Sequence, residues 1–301
     1  MTGELDQLVS VLRSHGMPSV RNLLVTVFGD AIRPYDAAVS VRSLTRLLAP
    51  LDVSERLVRT SLTRLADDEL VFAHRVGNRS FYGVHEGAQS LFDRAEQRIY
   101  HDPDREWDGR WTLAVVDAGV GTSDQRATLR RQLGWLGLGS VAPNVMASPV
   151  VTTDAVVGVV RDAGLRDAVI ITRSKNVADD VLISDIDLAR RVMPLDEMAE
   201  RYAEMSEWFG GLSAASGLSP AESFVGRTLL IATYRRVILA DPRLPAELLP
   251  ANWNGQGAYS LVADVYGTLW DASEQWITEV CETPDGMLSA LGGISRANRF
   301  P

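Results

Sequence analysis

Apolar positions recur at helical spacing from Val20. Leu23, Leu24, Val27, Phe28 and Ala31 fall on one stripe of a helix. Ser19 stands where an N-cap is wanted, and Arg33-Pro34-Tyr35 breaks the pattern. A second, shorter helix is predicted over residues 41–49, with Leu44, Leu47 and Leu48 inward and Pro50 ending it. Ser54 caps a third, which runs to about residue 67. With residues spaced at about 100° around its axis, Leu57, Val58, Ser61, Leu62 and Leu65 share one side. Arg56, Arg59, Thr60, Thr63 and Asp67 share the other, with Arg64 at its edge. The two β-prone runs 70–75 and 79–84 then flank Val76-Gly77-Asn78, which predicts a hairpin. Three helices, a tight turn between the last two, and a hairpin make a winged helix-turn-helix over residues 1–85.

Residues 86–104 read as a linking helix that ends at His101-Asp102-Pro103-Asp104. The pattern then alternates. A strand is predicted over 111–117, a helix over 123–135 capped by Ser123 or Asp124, and a hairpin over 140–148 turning at Pro143-Asn144. A helix over 154–163 and a strand over 168–172 follow. That βαββαβ order over residues 105–180 is the order of a ferredoxin-like domain. From 181 to 301 the chain reads as a helical domain, with helices over about 185–210, 220–240 and 257–281. Ser219-Pro220-Ala221-Glu222 supplies a cap, an N1 proline and an N3 glutamate for the second of these. The fold class expected is α+β and multidomain.

A chain of 301 residues with 46% hydrophobic and 23% charged residues can build such cores. No apolar run approaches the roughly 18 residues of a membrane span, and the first ten residues lack the basic-then-apolar order of a secretory signal. One cysteine, Cys281, excludes an internal disulfide and fits a reducing cytoplasm. The net charge of -9 argues against nucleic acid until its distribution is seen. Residues 1–100 carry 12 arginines against 12 carboxylates, so all the excess acid lies beyond them. A DNA-binding face needs local positive charge, not a basic protein. The outward side of the third helix and the hairpin tip offer the guanidinium and hydroxyl groups that meet phosphates and base edges.

Other chemistry finds little support. Asp117-Ala118-Gly119-Val120-Gly121 follows a strand but lacks a third glycine and the GK[ST] of a phosphate loop. Four scattered histidines and no CxxC or HExxH give no metal site. No GxSxG elbow is present, and Cys281 lies on an apolar helix end that suits a core. The expectation is no catalytic residue, no metal and no resident cofactor. All seven tryptophans lie outside the first hundred residues, where they fill cores or line a ligand pocket. Arg130-Arg131, Arg190-Arg191 and Arg235-Arg236 are pairs that could meet a polyphosphate, against the alternative of solvated faces.

Several strings are specific. Leu24-Val25-Thr26-Val27-Phe28-Gly29-Asp30 resembles the first-helix signature of the PaaX family, the phenylacetic acid degradation repressors. The string from Ser54 to Leu65 resembles that family's recognition helix, and Gly77-Asn78-Arg79-Ser80-Phe81-Tyr82 its wing. Trp107 to Leu113 is similar to the start of its middle domain, and Asp241 to Pro250 to part of its C-terminal domain. After the wing aromatics this chain departs from the family, with Gly83-Val84-His85 where a polar or basic residue and a Leu-Thr pair are expected. The resemblance implies a repressor that binds double-stranded operator DNA as a homodimer. It also implies release by phenylacetyl-CoA or another acyl-CoA thioester.

The DNA-contact set expected is therefore Arg42, Arg56, Arg59, Thr60, Thr63, Arg64, Arg75, Asn78 and Arg79. Tyr234, Arg235 and Arg236 are the effector-contact candidates, because an aromatic ring adjoins the arginine pair. Two other classes compete. One is an enzyme acting on a CoA thioester or a nucleic acid through the ferredoxin-like domain. The other is an interaction scaffold, which leaves the arginine face without purpose.

Overall fold

A computed structural model describes residues 3–101, 106–177, 182–214, 217–289 and 296–301. In chain order its elements are α1 (Gly3–His15), α2 (Val20–Thr26), β1 (Val39–Ser40), α3 (Val41–Leu48), α4 (Glu55–Asp67), β2 (Val71–Val76), β3 (Arg79–Val84) and α5 (Gln89–Tyr100). There follow β4 (Trp111–Val116), α6 (Ser123–Leu136), β5 (Gly139–Ala142), β6 (Val145–Ser148), α7 (Thr153–Asp162) and β7 (Val169–Ser174). The remainder comprises α8 (Asp185–Val192), α9 (Leu195–Gly210), α10 (Pro220–Ile238), α11 (Gly255–Val280), β8 (Glu282–Thr283) and β9 (Gly286–Met287). The four segments predicted from sequence are gathered into two compact units. One holds residues 1–102, 201–240 and 254–301, the other 103–200 and 241–253.

In the first unit, three serines start three helices in the same way. Ser19, Ser40 and Ser54 each accept a hydrogen bond from the amide three residues on, at 3.3, 3.1 and 3.4 Å. α2 does not end where its α-helical hydrogen bonds do. It widens into a π-helical stretch, Val27–Ile32, closed by the Arg33 amide donating to the Phe28 carbonyl. Five of those six residues are buried, Asp30 among them. Leu23, Leu24, Leu44, Leu47, Leu48, Val58, Leu62 and Leu65 are all 1% exposed or less and form the core beneath α4. Leu57 does not join them: it is 51% exposed, because on α4 it stands at the edge of the stripe that Val58, Leu62 and Leu65 occupy.

β2 and β3 form the expected hairpin, in register from Val71↔Val84 to Val76↔Arg79, with Gly77 at φ 61° in the turn. β1 adds to the other edge of β3. Gly83 lies opposite Phe72, whose ring rests on it; a Cβ there would come within 2.7 Å of that ring. α1, which sequence reading left unassigned, is amphipathic and buries Leu5, Leu8, Val9 and Leu12.

In the second unit, β4 to β7 form an antiparallel sheet in the order β5-β6-β4-β7. With α6 and α7 the element order is βαββαβ. One face carries a core of Ala114, Val116, Leu129, Leu133, Val156 and Val160. The other packs Trp111 and Ala147 against Leu188, Ala189, Leu244 and Leu248. Trp111 is pinned there by an indole N–H donating 2.7 Å to the Asp185 carboxylate. The cap of α6 is Thr122, not Ser123 or Asp124, in a full capping box with Gln125. The single helix expected over 185–210 is two, because Met193, before Pro194, is extended at φ -139°, ψ 145°. Trp135 is 78% exposed on α6, so this ring fills no core.

Candidate nucleic-acid interface

α4 stands on its buried stripe and turns its other side outward. Arg56, Arg59, Thr60, Thr63 and Arg64 are all exposed there. Arg42, the second residue of α3, is exposed as well. Arg75, Asn78 and Arg79 are exposed at the turn end of the hairpin. The nine residues expected to contact DNA are thus accessible, five of them on one helix face and three in the hairpin.

Several are already engaged. Arg59 reaches back one turn to Glu55, its Nε and Nη2 donating to Oε1 at 2.8 and 2.6 Å. Both side chains are more than half exposed, so the pair is worth little and yields readily to a stronger anion. Arg79 is ion-paired with Glu282 of β8. Arg75 Nε donates to the Gly77 carbonyl at 3.2 Å, across the turn. Thr60 and Thr63 donate their hydroxyls back to the Arg56 and Arg59 carbonyls at 2.9 and 3.1 Å. Glu55 and Glu282 were not among the expected site residues. The i, i+4 spacing of Glu55 and Arg59 was a legible signal; the sequence separation of 203 between Arg79 and Glu282 gave none.

The mounting behind this face is a buried ionic network. Asp30 Oδ1 accepts from the hydroxyls of Tyr100 (2.6 Å) and Tyr266 (2.8 Å), and Oδ2 from Arg227 Nε (2.8 Å). Arg227, 1% exposed, also donates to the Asp30 carbonyl at 3.2 Å and to Glu274 at 2.5 Å. Its guanidinium lies 4.8 Å and 4.4 Å from the ring centres of Tyr266 and Trp270. Tyr35, the last residue of the short turn Arg33–Tyr35 that follows the π-helical stretch, donates to the same Glu274. Arg299 closes the far side, 4.0 Å over the Tyr100 ring and 2.8 Å from Glu96. Burial alone would raise the Asp30 carboxyl. The charges of Arg227 and Arg299 and the hydrogen bonds from Tyr100 and Arg227 outweigh it and hold the group below the usual carboxylate range. Asp30 therefore ties the element that backs α4 to α10 by an ion pair and to α5 and α11 by hydrogen bonds.

The effector candidates sit in this unit too. Tyr234 is 1% exposed, inside the α10 core. Arg235 donates to the Asn22 carbonyl at 3.4 Å and Arg236 to the Gly16 carbonyl at 3.3 Å. Burial lowers the Arg235 pKa from its ordinary value. A cleft of about 730 Å³ opens beside the hairpin, lined by Arg33, Tyr35, Phe72, His74, Gln89 and Met287 among others. Its guanidinium is matched by Asp93 and Glu96, and Asp36 and Asp285 border it, so it offers no net positive charge to a polyphosphate. Elsewhere, Arg190 is paired with Asp187 and Asp196, while Arg130 and Arg131 bond to Asn144 and Thr128. Cys281 is buried, and burial first of all pushes its thiol up to about 12. Among the described residues, no helix is long and apolar enough to cross a membrane, and no three metal-ligating side chains converge.

Three helices with a basic outer face, a hairpin with arginines at its turn, and a separate βαββαβ unit define a modular chain, and known proteins share the modules in the same order. Residues 19–87 match the family model described as PaaX-like protein, 104–182 that of the PaaX protein central Cas2-like domain, and 193–279 that of the PaaX-like protein C-terminal domain. The Transcriptional repressor PaaX of Escherichia coli (strain K12) is 34% identical over 281 residues, 91% of this chain and 87% of that one. The chain belongs to the PaaX family. A solved structure, the uncharacterized protein Rv0674 from Mycobacterium tuberculosis, shares the fold at a TM-score of 0.54 and 22% identity, covering 86% of this chain and 98% of that chain.

Proposed function

We propose that this protein is a DNA-binding transcriptional repressor that reads its operator through a winged helix-turn-helix. The observation that carries the reading is the sidedness of α4. Val58, Leu62 and Leu65 are fully buried, while Arg56, Arg59, Thr60, Thr63 and Arg64 face out beside the hairpin arginines. α4 enters the major groove, and Arg75, Asn78 and Arg79 meet the backbone or minor groove as a wing. The βαββαβ unit is the ferredoxin-like middle domain. The family relation also brings a homodimer into the proposal, and a two-fold dimer would read half-sites about one helical turn apart. The family relation extends the proposal to an aromatic-acid catabolic operon and to release by an aryl- or acyl-CoA.

Arg235 and Arg236 remain the effector-contact candidates, because the main-chain carbonyls of Asn22 and Gly16 to which they donate can be exchanged for a phosphate. Such an effector acts by favouring a dimer shape that no longer spans two half-sites.

Fluorescence anisotropy of the full chain on DNA from upstream of its own gene, with and without phenylacetyl-CoA, tests this. Tight binding to one fragment, lost on adding the thioester, is expected. Failure to prefer any sequence, including DNA selected from a random pool, would overturn the repressor reading. Binding that persists with every CoA thioester tried would remove the effector and leave the DNA reading standing.

A further inference from the structure

Leu57 lies in the first turn of α4, where its amide donates to the capping Ser54 hydroxyl. It is 51% exposed, although three neighbouring apolar positions on the same helix are wholly buried. The turn of an α-helix puts it about 105° from the centre of that buried stripe. Thr60 and Ser61 lie one turn further on and Arg64 two, so Leu57 stands in the same row as Thr60 and Arg64. Helical Cβ bonds tilt toward the N-terminus, and it is the N-terminal end of a recognition helix that reaches base edges. A large apolar side chain thus stands among guanidinium and hydroxyl groups, on the part of the face that goes deepest.

The major groove offers an aliphatic side chain one apolar group, the C5-methyl of thymine. At the corresponding position cytosine instead presents an amino donor and no methyl, which leucine would desolvate without accepting its hydrogen bond. We infer that Leu57 is a specificity-determining residue that reads a thymine methyl in each half-site. This rests on the DNA reading of α4. The neighbouring charges settle the kind of occupant: a face rimmed by Arg56 and Arg64 fits a polyanion.

The methyl can be removed without disturbing pairing by replacing thymine with uracil. The probe is a duplex selected by the intact wild-type protein from a random pool, then remade with each dT changed singly to dU. At one thymine per half-site, wild type is expected to bind the uracil duplex about fourfold more weakly, the worth of one buried methyl. Leu57→Ala should bind both duplexes alike, and Leu57→Met, which keeps an apolar tip, should restore the preference. Equal thymine-to-uracil ratios for wild type and Leu57→Ala at every position would overturn the inference. So would a change in oligomeric state of Leu57→Ala, which would assign the residue to a contact between copies. If wild type selects no sequence at all, the inference falls together with the DNA reading beneath it.

Discussion

Replacing Asp30 by alanine removes the acceptor on which three buried donors converge. Arg227 would keep Glu274 and the residue 30 carbonyl, but its Nε would have lost its partner in a site where the side chain is 1% exposed. The hydroxyls of Tyr100 and Tyr266 would be left without their acceptor. Breaking a buried ion pair by deleting one partner costs about 3–5 kcal/mol, and the stranded hydroxyls place this case at the upper end. Arg227→Met should cost less than Asp30→Ala. The carboxyl would keep two hydroxyl donors and could take up a proton, and the methionine would still fill the space between Tyr266 and Trp270. The double variant should cost less than the sum of the two, with a coupling above about 1 kcal/mol. Urea unfolding followed by tryptophan fluorescence measures all four members of the cycle. If Asp30→Ala costs under about 1 kcal/mol and the two changes simply add, the network is not what holds α2 to α10 and α11.

Other outcomes follow from the same geometry. A carboxyl held below its ordinary range contributes stability that is complete above about pH 4 and is lost as pH falls through the folded-state value. The urea midpoint of Asp30→Asn should therefore fall less steeply than that of wild type below pH 4. Gly139→Ala places a Cβ 1.9 Å from the Val192 carbonyl oxygen, backbone against backbone, and should cost about 1–3 kcal/mol or more in thermal melts. Glu282→Gln frees Arg79 and should tighten DNA binding at low salt, with a log–log salt slope steeper by about one; an unchanged slope would mean that Arg79 does not reach a phosphate. Cys281 should resist thiol reagents at pH 8 in the folded protein and react fully in denaturant.

Much of the first unit was legible because its signals are local. A serine three residues before the amide it caps, a leucine stripe, and a Gly-Asn turn between two β-prone runs each lie within a dozen residues. α2, α3, α4 and the hairpin accordingly stand where the pattern puts them. α1 carries the same kind of signal, with Leu5, Leu8, Val9 and Leu12 at helical spacing, although it precedes the three-helix pattern. The break at Pro194 was equally local: a residue before proline avoids the helical region, and the apolar periodicity that continued past it concealed the change.

The buried network was not legible, and the reason is physical. Asp30 stands in the quoted helix signature, yet nothing in residues 20–35 says that it faces inward. A second wall encloses it from α10 and α11, about 200 residues away in the chain. The widened turn over Val27–Ile32 was not legible either, since the local sequence also suits an ordinary helix. Leu57 failed in the opposite sense. Helical periodicity assigns a leucine inward by default, but the buried stripe of α4 is only as wide as the helices beneath it, and Val58, Leu62 and Leu65 already fill it. A residue 105° from the stripe centre is outside that width whatever its hydropathy. The two misreadings share one cause: a helical wheel gives the direction of each side chain, whereas its surroundings are set by elements that the wheel does not contain.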